Sequence, residues 1–394
     1  MSQSPVPGIA FVANSLPPYR VHAHARVARE MAGLRVWTLL THDAGPWEDP
    51  RAGLIGRVDF GPGETTDRQT APSRALHEWR KGGRVIRWIR THEVRAVVLL
   101  GYNDVGRVRI LRWCRRVGLP CFVWGDSNVL GDAARGSRRV VKQALVPRLL
   151  RLASGVLCCG RLGEAYFRRY GVPADRIFLF TNEPDYDLIR HLPADRVAAV
   201  AGRFGLRPGR RRIVFSGRLV PAKRPDLLLA AFAAIADRRP DWDVVLVGDG
   251  PLRAELEAGV GPGLRHRITF AGFVANQADV SAVYRASDVL ALPSDHEPWA
   301  LVVNEAVAAG LAVVSSTVVG AAAELVVDRV NGRLFPPGDL PALTECLLDV
   351  TQTDRTAGYR AAAPAVLADW RARGDLVNGL AKALGSVGVP TSRS

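Results

Sequence analysis

Short apolar runs alternate with longer stretches whose apolar positions recur at helical spacing, along nearly the whole chain. GIAFVA (8–13) reads as a buried strand, NSLPPYR as a loop, residues 21–31 as a helix and LRVWTLLTH as a second strand. Residues 43–73, rich in Gly, Pro, Asp and Thr, read as irregular loop with a short strand. A basic amphipathic helix follows over 74–90, carrying Leu76, Trp79, Val85, Ile86 and Ile89 and interrupted by Gly82 and Gly83. AVVLLGYND and PCFVWGDSN are strands with polar tips, separated by the helix RVRILRWCRRVG. SRRVVKQALVPRLLRLAS is a helix with basic residues scattered round an apolar body, suited to an ordinary domain surface or to a membrane surface. GVLCCG, RLGEAYFRRYG and RIFLFTNEPD complete this half near Asp187.

The alternation restarts after a basic, glycine-containing connection. RRIVFSGRL, DWDVVLVGDGP, RITFAGFV and VLALPS are strands, each followed by a helix. The expected organisation is a first domain over 1–188, a connection over 189–208, a second domain over 209–355 and a helical tail over 356–394. Within the tail, residues 360–384 read as helix and the last ten as loose.

The stretch PSDHEPWALVVNEAVAAG concentrates the candidate chemistry. Pro298 suits a first helical position, which places Glu297 just outside a helix ending at Ala309 and Glu305 about two turns in. Free amide groups from Trp299 through Ala300 and Leu301 to Val302 then form an anion site. Two carboxylates flanking a phosphate-binding turn suit hydroxyls on either side of a diphosphate, although such a pair alone also fits a solvated cap. Gly217 lets backbone approach a ligand, and Arg218 with Lys223 places two cations at a helix mouth. Gly248-Asp249-Gly250 and Phe273-Val274 sit at the next strand exits. In the first half, Tyr102, Asn103, Asp104, Asp126, Ser127 and Asn128 occupy strand tips, where turn and capping roles compete with ligand binding. Neither GxGxxG nor a P-loop is present.

The formal net charge is +15, and residues 1–188 hold 29 Lys+Arg against 17 Asp+Glu. A basic first half suits anionic headgroups or nucleic acid. Only four of the 53 basic residues are lysines, so compositional bias accounts for the excess equally well. Five cysteines with no CxxC pair read as reduced core thiols of a cytoplasmic protein. The N-terminal sequence lacks the charged start and apolar centre of a signal peptide.

SGRLVPAKRPDLLLAAF, VGDGP, ITFAGFV, PSDHEPWALVVNEAVAAGLAVVSS and NGRLFPPGD together resemble the retaining GT-B glycosyltransferases of family 4, over residues 211–340. NSLPPYR and the WGDS strand end resemble a subgroup of the same family. The resemblance implies an α/β fold of two Rossmann-like β/α/β domains facing across a cleft, with a C-terminal helix crossing back to the first. It implies a retaining, metal-independent hexosyltransferase without cofactor, using a UDP- or GDP-sugar donor. The acceptor would be a glycan or a lipid-linked molecule in envelope or exopolysaccharide assembly, reached from the cytoplasm with possible peripheral membrane contact. Arg218 and Lys223 would hold the diphosphate, Glu305 the ribose and Glu297 the sugar, with Phe273 and Val274 flanking the base. The acceptor side would use Tyr19, Arg20, Tyr102, Asn103 and Asp126, with Asp126 touching the acceptor hydroxyl. Many relatives have a glycine pair where this chain has Asn14-Ser15 and a histidine where it has Gly101-Tyr102-Asn103, so these assignments depart from the pattern. A nucleotide-sugar epimerase and a catalytically silent nucleotide-sugar binder are the alternatives. A phosphorylase lacks a recognisable lysine site, and no nucleic-acid module supports a nucleic-acid partner.

Overall fold

The computed structural model describes residues 7–31, 33–45, 49–66, 69–132 and 136–391. Parts of the long loop at 43–73, the first six residues and the last three fall outside them. The chain divides into two compact units, residues 1–182 with 374–394, and residues 183–373.

In the first unit the strands are β1 (Gly8–Ala13), β2 (Arg35–Leu40), β3 (Gly56–Asp59), β4 (Val94–Leu100), β5 (Cys121–Gly125), β6 (Gly155–Cys158) and β7 (Ile177–Leu179). The helices are α1 (Pro18–Glu30), α2 (Ala75–Thr91), α3 (Val105–Val117), α4 (Gly136–Leu150) and α5 (Arg161–Arg169). The strands form one parallel sheet in the order β3-β2-β1-β4-β5-β6-β7. The order reverses between β1 and β4, so the exits of these strands flank the position where open α/β sheets take ligands. Residues buried on both faces explain the continuous apolar runs of β1, β5 and β6.

Two expectations change here. Helix α1 begins at Pro18 rather than Val21, because Pro17 is extended and Pro18 is pre-set for the first turn. Tyr19 and Arg20 therefore sit on that first turn. Gly82 and Gly83 do not interrupt α2. A Cβ at Gly82 would lie 2.6 Å from the Gly106 carbonyl oxygen, and one at Gly106 would lie 2.5 Å from that of Glu78. These glycines let α2 and α3 touch backbone to backbone, which offsets the cost of glycine inside a helix.

The second unit contains β8 (Arg211–Ser216), β9 (Trp242–Val247), β10 (Ile268–Gly272), β11 (Val289–Leu292), β12 (Ala312–Ser316) and β13 (Gly332–Phe335). Its helices are α6 (Tyr186–Arg190), α7 (Ala194–Arg203), α8 (Pro225–Ile235), α9 (Arg253–Gly259), α10 (Gln277–Arg285), α11 (Leu301–Ala308), α12 (Ala322–Leu325), α13 (Leu340–Val350) and α14 (Thr353–Arg373). The sheet is parallel in the order β10-β9-β8-β11-β12-β13. Residues 189–208 pack with this unit, since Arg196 and Arg203 of α7 pair with Asp279 of α10 at 2.9 and 2.7 Å.

Helix α14 also stays here, with Trp370 against Trp299 at 5.7 Å between ring centroids. Only from Gly374 does the tail belong to the first unit, where α15 (Leu376–Gly385) packs on β7 and α1. The Cβ position of Gly379 lies 1.6 Å from the Leu179 carbonyl oxygen, and Arg26 pairs with Asp375 at 2.8 Å. All five cysteines are free and buried. Among the described residues no helix is long and apolar enough to cross a membrane.

Candidate functional site

The exits of β8, β9 and β10 are drawn together by glycine. Gly217 and Gly248 hold φ of +151° and +137°, which side chains disfavour. A Cβ at Gly248 would lie 2.0 Å from the Gly217 carbonyl oxygen, so the two turns are in backbone contact. The Gly248 amide donates to the Gly272 carbonyl at 2.8 Å. The absent side chain at Gly217 leaves room for Lys223, whose Cδ would be 3.0 Å from that Cβ. Arg218 is exposed; its carbonyl accepts from the Val220 amide, and its guanidinium has no hydrogen-bond or ion-pair partner among the described residues. The Lys223 ammonium forms an ion pair with the Glu297 carboxylate. Asp295 reinforces this join, its amide donating to the Ala222 carbonyl at 2.9 Å.

The segment carrying Glu297 is not helical, which corrects the expected helix start. Glu297 makes a parallel bridge with Val319, and the Gly320 and Ala321 amides donate to the carbonyls of Glu297 and Trp299 at 3.2 and 2.7 Å. Pairing keeps residues 297–299 out of the helix, and Ala300 turns the chain with φ +76° before α11 begins at Leu301. At the helix start the Val303 amide donates to the Ala300 carbonyl, whereas the Leu301 and Val302 amides have no hydrogen-bond partner among the described residues. Trp299 is buried beneath them against Trp370.

Glu305 lies buried on α11. Gln277 Nε2 donates to its Oε1 at 2.7 Å and the Tyr284 hydroxyl to its Oε2 at 3.1 Å. Burial raises the Glu305 pKa, partly offset by those two hydrogen bonds. Each carboxylate oxygen accepts one of these bonds and keeps a lone pair for a further hydroxyl. Phe273 is 63% exposed beside half-buried Val274, an apolar surface at the β10 exit.

Sequence reasoning missed Gln277, Tyr284, Asn304 and Ser294. Asn304 is fully buried and donates to the Tyr186 hydroxyl at 2.9 Å; among the described residues its Oδ1 and the buried Ser294 hydroxyl have no partner. The position of Gln277 at the start of the helix after GFVAN is the only signal that pointed to it.

On the first unit the acceptor-side candidates lie at the exits of three adjacent strands. Tyr19 and Arg20 follow β1, Tyr102 and Asn103 follow β4, and Asp126 follows β5. Arg20 folds back onto the Ser15 carbonyl at 2.5 Å. Tyr102 bonds the Tyr166 hydroxyl at 3.0 Å, and burial raises its pKa. Asn103 is exposed; Asp126 is half-buried and engaged with neighbouring groups.

The reversal point beside them holds a network that the sequence did not announce. Buried Arg107 bonds Asp104 and Asn14 and reaches the Thr41 hydroxyl at 3.3 Å, while Gln69 donates to Asp104 at 2.7 Å. Next to it, His42, Glu64 and Glu78 have ligand atoms close enough to suggest a metal site. Lys81 fills the cationic role there, its ammonium 2.9 Å from Glu64 and 3.1 Å from Glu78. Burial, then Lys81 and Arg107, lower the His42 pKa to about 4.

Two parallel sheets of seven and six strands with helices between the strands are the architecture of GT-B glycosyltransferases. Residues 210–353 match the family model described as glycosyl transferases group 1. A D-inositol 3-phosphate glycosyltransferase of Rhodococcus jostii is 31% identical over 332 residues, covering 78% of this chain and 70% of that relative. The chain belongs to the glycosyl transferases group 1 family. Among solved structures, Anabaena Alr3699/HepE in complex with UDP and glucose superposes with TM-score 0.72 at 21% identity, over 96% of this chain and 99% of that one. Sucrose-phosphate synthase from Thermosynechococcus elongatus gives TM-score 0.73 at 21% identity, over 97% and 100%.

Proposed function

We propose that the protein is a retaining, metal-independent transferase of family 4. It moves a hexose-type sugar from a nucleotide-diphosphate sugar to a glycan or lipid-linked acceptor in envelope or exopolysaccharide assembly. The observation that carries this reading is the grouping of Arg218, the Lys223–Glu297 pair and the open Leu301 and Val302 amides after the adjacent central strands β8 and β11. Two cations and a helix N-terminus suit a diphosphate whose negative charge grows as the sugar departs. Glu297 then faces the sugar hydroxyls, and buried Glu305 accepts from the ribose. Phe273 and Val274 offer an apolar face to the base. The names of similar proteins support a nucleotide-sugar donor, since one of them was solved with UDP and glucose. UDP-sugars are therefore the first donors to assay. In the reaction an acceptor oxygen bonds the anomeric carbon as its bond to the diphosphate breaks. The acceptor proton leaves with the phosphate or passes through Asp126, the first-unit group assigned to the acceptor hydroxyl.

Thermal-shift titration with UDP, GDP and their sugar conjugates tests the donor site. Wild type should respond selectively, and Lys223→Met should weaken the diphosphates by roughly tenfold or more, because a charge-assisted hydrogen bond is lost. A well-folded protein that responds to no nucleotide would overturn the assignment. Once a donor is known, Asp126→Ala should depress transfer with donor binding intact, and a chelator should leave the rate unchanged. Strict dependence on an added divalent cation would refute the metal-independent reading.

A further inference from the structure

Helix α4 carries apolar residues on its outer face as well as its inner one. Its inner stripe is Lys142, Val146 and Leu150, four residues apart, and the first member is charged. Lys142 is held there by Asp132 at 2.6 Å and lies 5.1 and 5.6 Å from the ring centroids of Tyr166 and Tyr170. Tyr170 completes the anchor with a 2.7 Å hydrogen bond to Asp132. The outer face carries Val140, Val141 and Leu145 at 66, 54 and 54% exposure, with exposed Ala144 between them. At 100° per residue these four span about 140° of the helix. Ordinary domain helices place apolar residues inward and charges outward. Here a contiguous apolar strip faces solvent although polar residues would serve solubility better.

Between Asp132, which pairs with Lys142, and Glu164 at the start of α5, the charge along the chain has one sign. From Ala133 to Gly163 the sequence has seven basic residues and no acidic one. Of these, Arg139, Arg148 and Arg151 are exposed on or just beyond α4. A strip of aliphatic side chains bordered by arginines fits an interface that is apolar below and negatively charged at its surface. A second copy of this chain fits poorly, since two faces of the same positive sign would meet. A nucleic acid offers the charge but no apolar layer.

We propose that the outer face of α4 docks the protein on an anionic phospholipid surface, with Val140, Val141 and Leu145 entering the headgroup–acyl boundary and the arginines contacting phosphates. The Lys142–Asp132–Tyr170 anchor holds the helix in this orientation against α5.

Co-sedimentation with phosphatidylglycerol-containing and pure phosphatidylcholine vesicles tests the proposal in the full-length protein. Wild type should pellet with the anionic vesicles and release as salt is raised. Combined Val140→Ser, Val141→Ser and Leu145→Ser should lower the bound fraction roughly tenfold or more at unchanged melting temperature, because the changed side chains are exposed. Combined Arg139→Glu and Arg148→Glu should abolish the preference for anionic lipid, giving a second reading should the serine variant fold poorly. Failure of wild type to bind, equal binding to neutral vesicles, or undiminished binding by both variants would overturn the proposal. So would a wild-type dimer that the serine variant dissolves, which would assign the face to a second copy. Vesicle binding is read without donor or acceptor, so its outcome is distinct from that of any transfer assay.

Discussion

Glu305 shows how a single buried carboxylate trades stability against binding. Burial raises its pKa, so the folded state holds the proton more tightly than the unfolded chain does. By linkage, the contribution of this group is most favourable below the ordinary carboxylate range and is lost as pH rises through the raised value. A neutral isostere removes that cost near neutral pH. Glu305→Gln can keep both hydrogen bonds, accepting from Gln277 and donating to Tyr284, whose hydroxyl also bonds Ser216. Its melting temperature should exceed wild type at pH 7, while donor affinity falls by about tenfold through the weaker ribose contact. Calorimetry with a parallel nucleotide titration checks both signs; a less stable variant would show that the carboxylate is needed for the packing itself.

At the scale of elements, backbone contacts between glycines set positions that side chains then use. Gly248 meets the Gly217 carbonyl and Gly379 meets the Leu179 carbonyl, each closer than any Cβ tolerates. Gly248→Ala should force the β8 and β9 exits apart, moving Lys223 and lowering stability by about 1–3 kcal/mol together with nucleotide binding. Gly379→Ala should instead lift α15 from β7 at a comparable cost, leaving nucleotide binding by the folded protein unchanged. Chemical denaturation and titration of both variants separate the two effects, and equal loss of binding would contradict a local role for Gly248. The start of α11 follows the same logic. Proline at 298 signals a helix start in sequence, yet pairing with residues 319–321 keeps 297–299 out of the helix and moves its start to Leu301.

Across the whole molecule the two units answer acid differently. In the first, burial lowers the pKa of His24 to about 3 and of His42 to about 4. The unfolded chain therefore takes up protons first, and stability drops as pH falls from about 6.5 toward 4. The shifted Glu305 of the second unit works in the opposite direction. Acid melting between pH 6.5 and 4 should begin in the first unit, and His42→Gln should flatten the decline; tryptophan fluorescence and proteolysis mapping read the order. A first unit that outlasts the second in this window would contradict the assignment.

The sequence alone determined the two α/β series, the strand order of exits along the chain and the glycines, cations and carboxylates on the second unit. Those features are local: a strand needs its apolar run and a turn its glycine, and both are written in consecutive residues. It also carried the basic, acid-free stretch around α4, though not which face that helix turns outward. Tertiary structure decided the rest. The partnership of Lys223 with Glu297, of Gln277 and Tyr284 with Glu305, and of Arg107 with Asn14 and Asp104 joins elements whose approach depends on sheet order. Whether Lys81 or a metal sits between Glu64 and Glu78, and whether Val140 faces the core or solvent, depends likewise on what packs alongside. Residue type states what a side chain can do, and only the folded neighbourhood fixes what it meets.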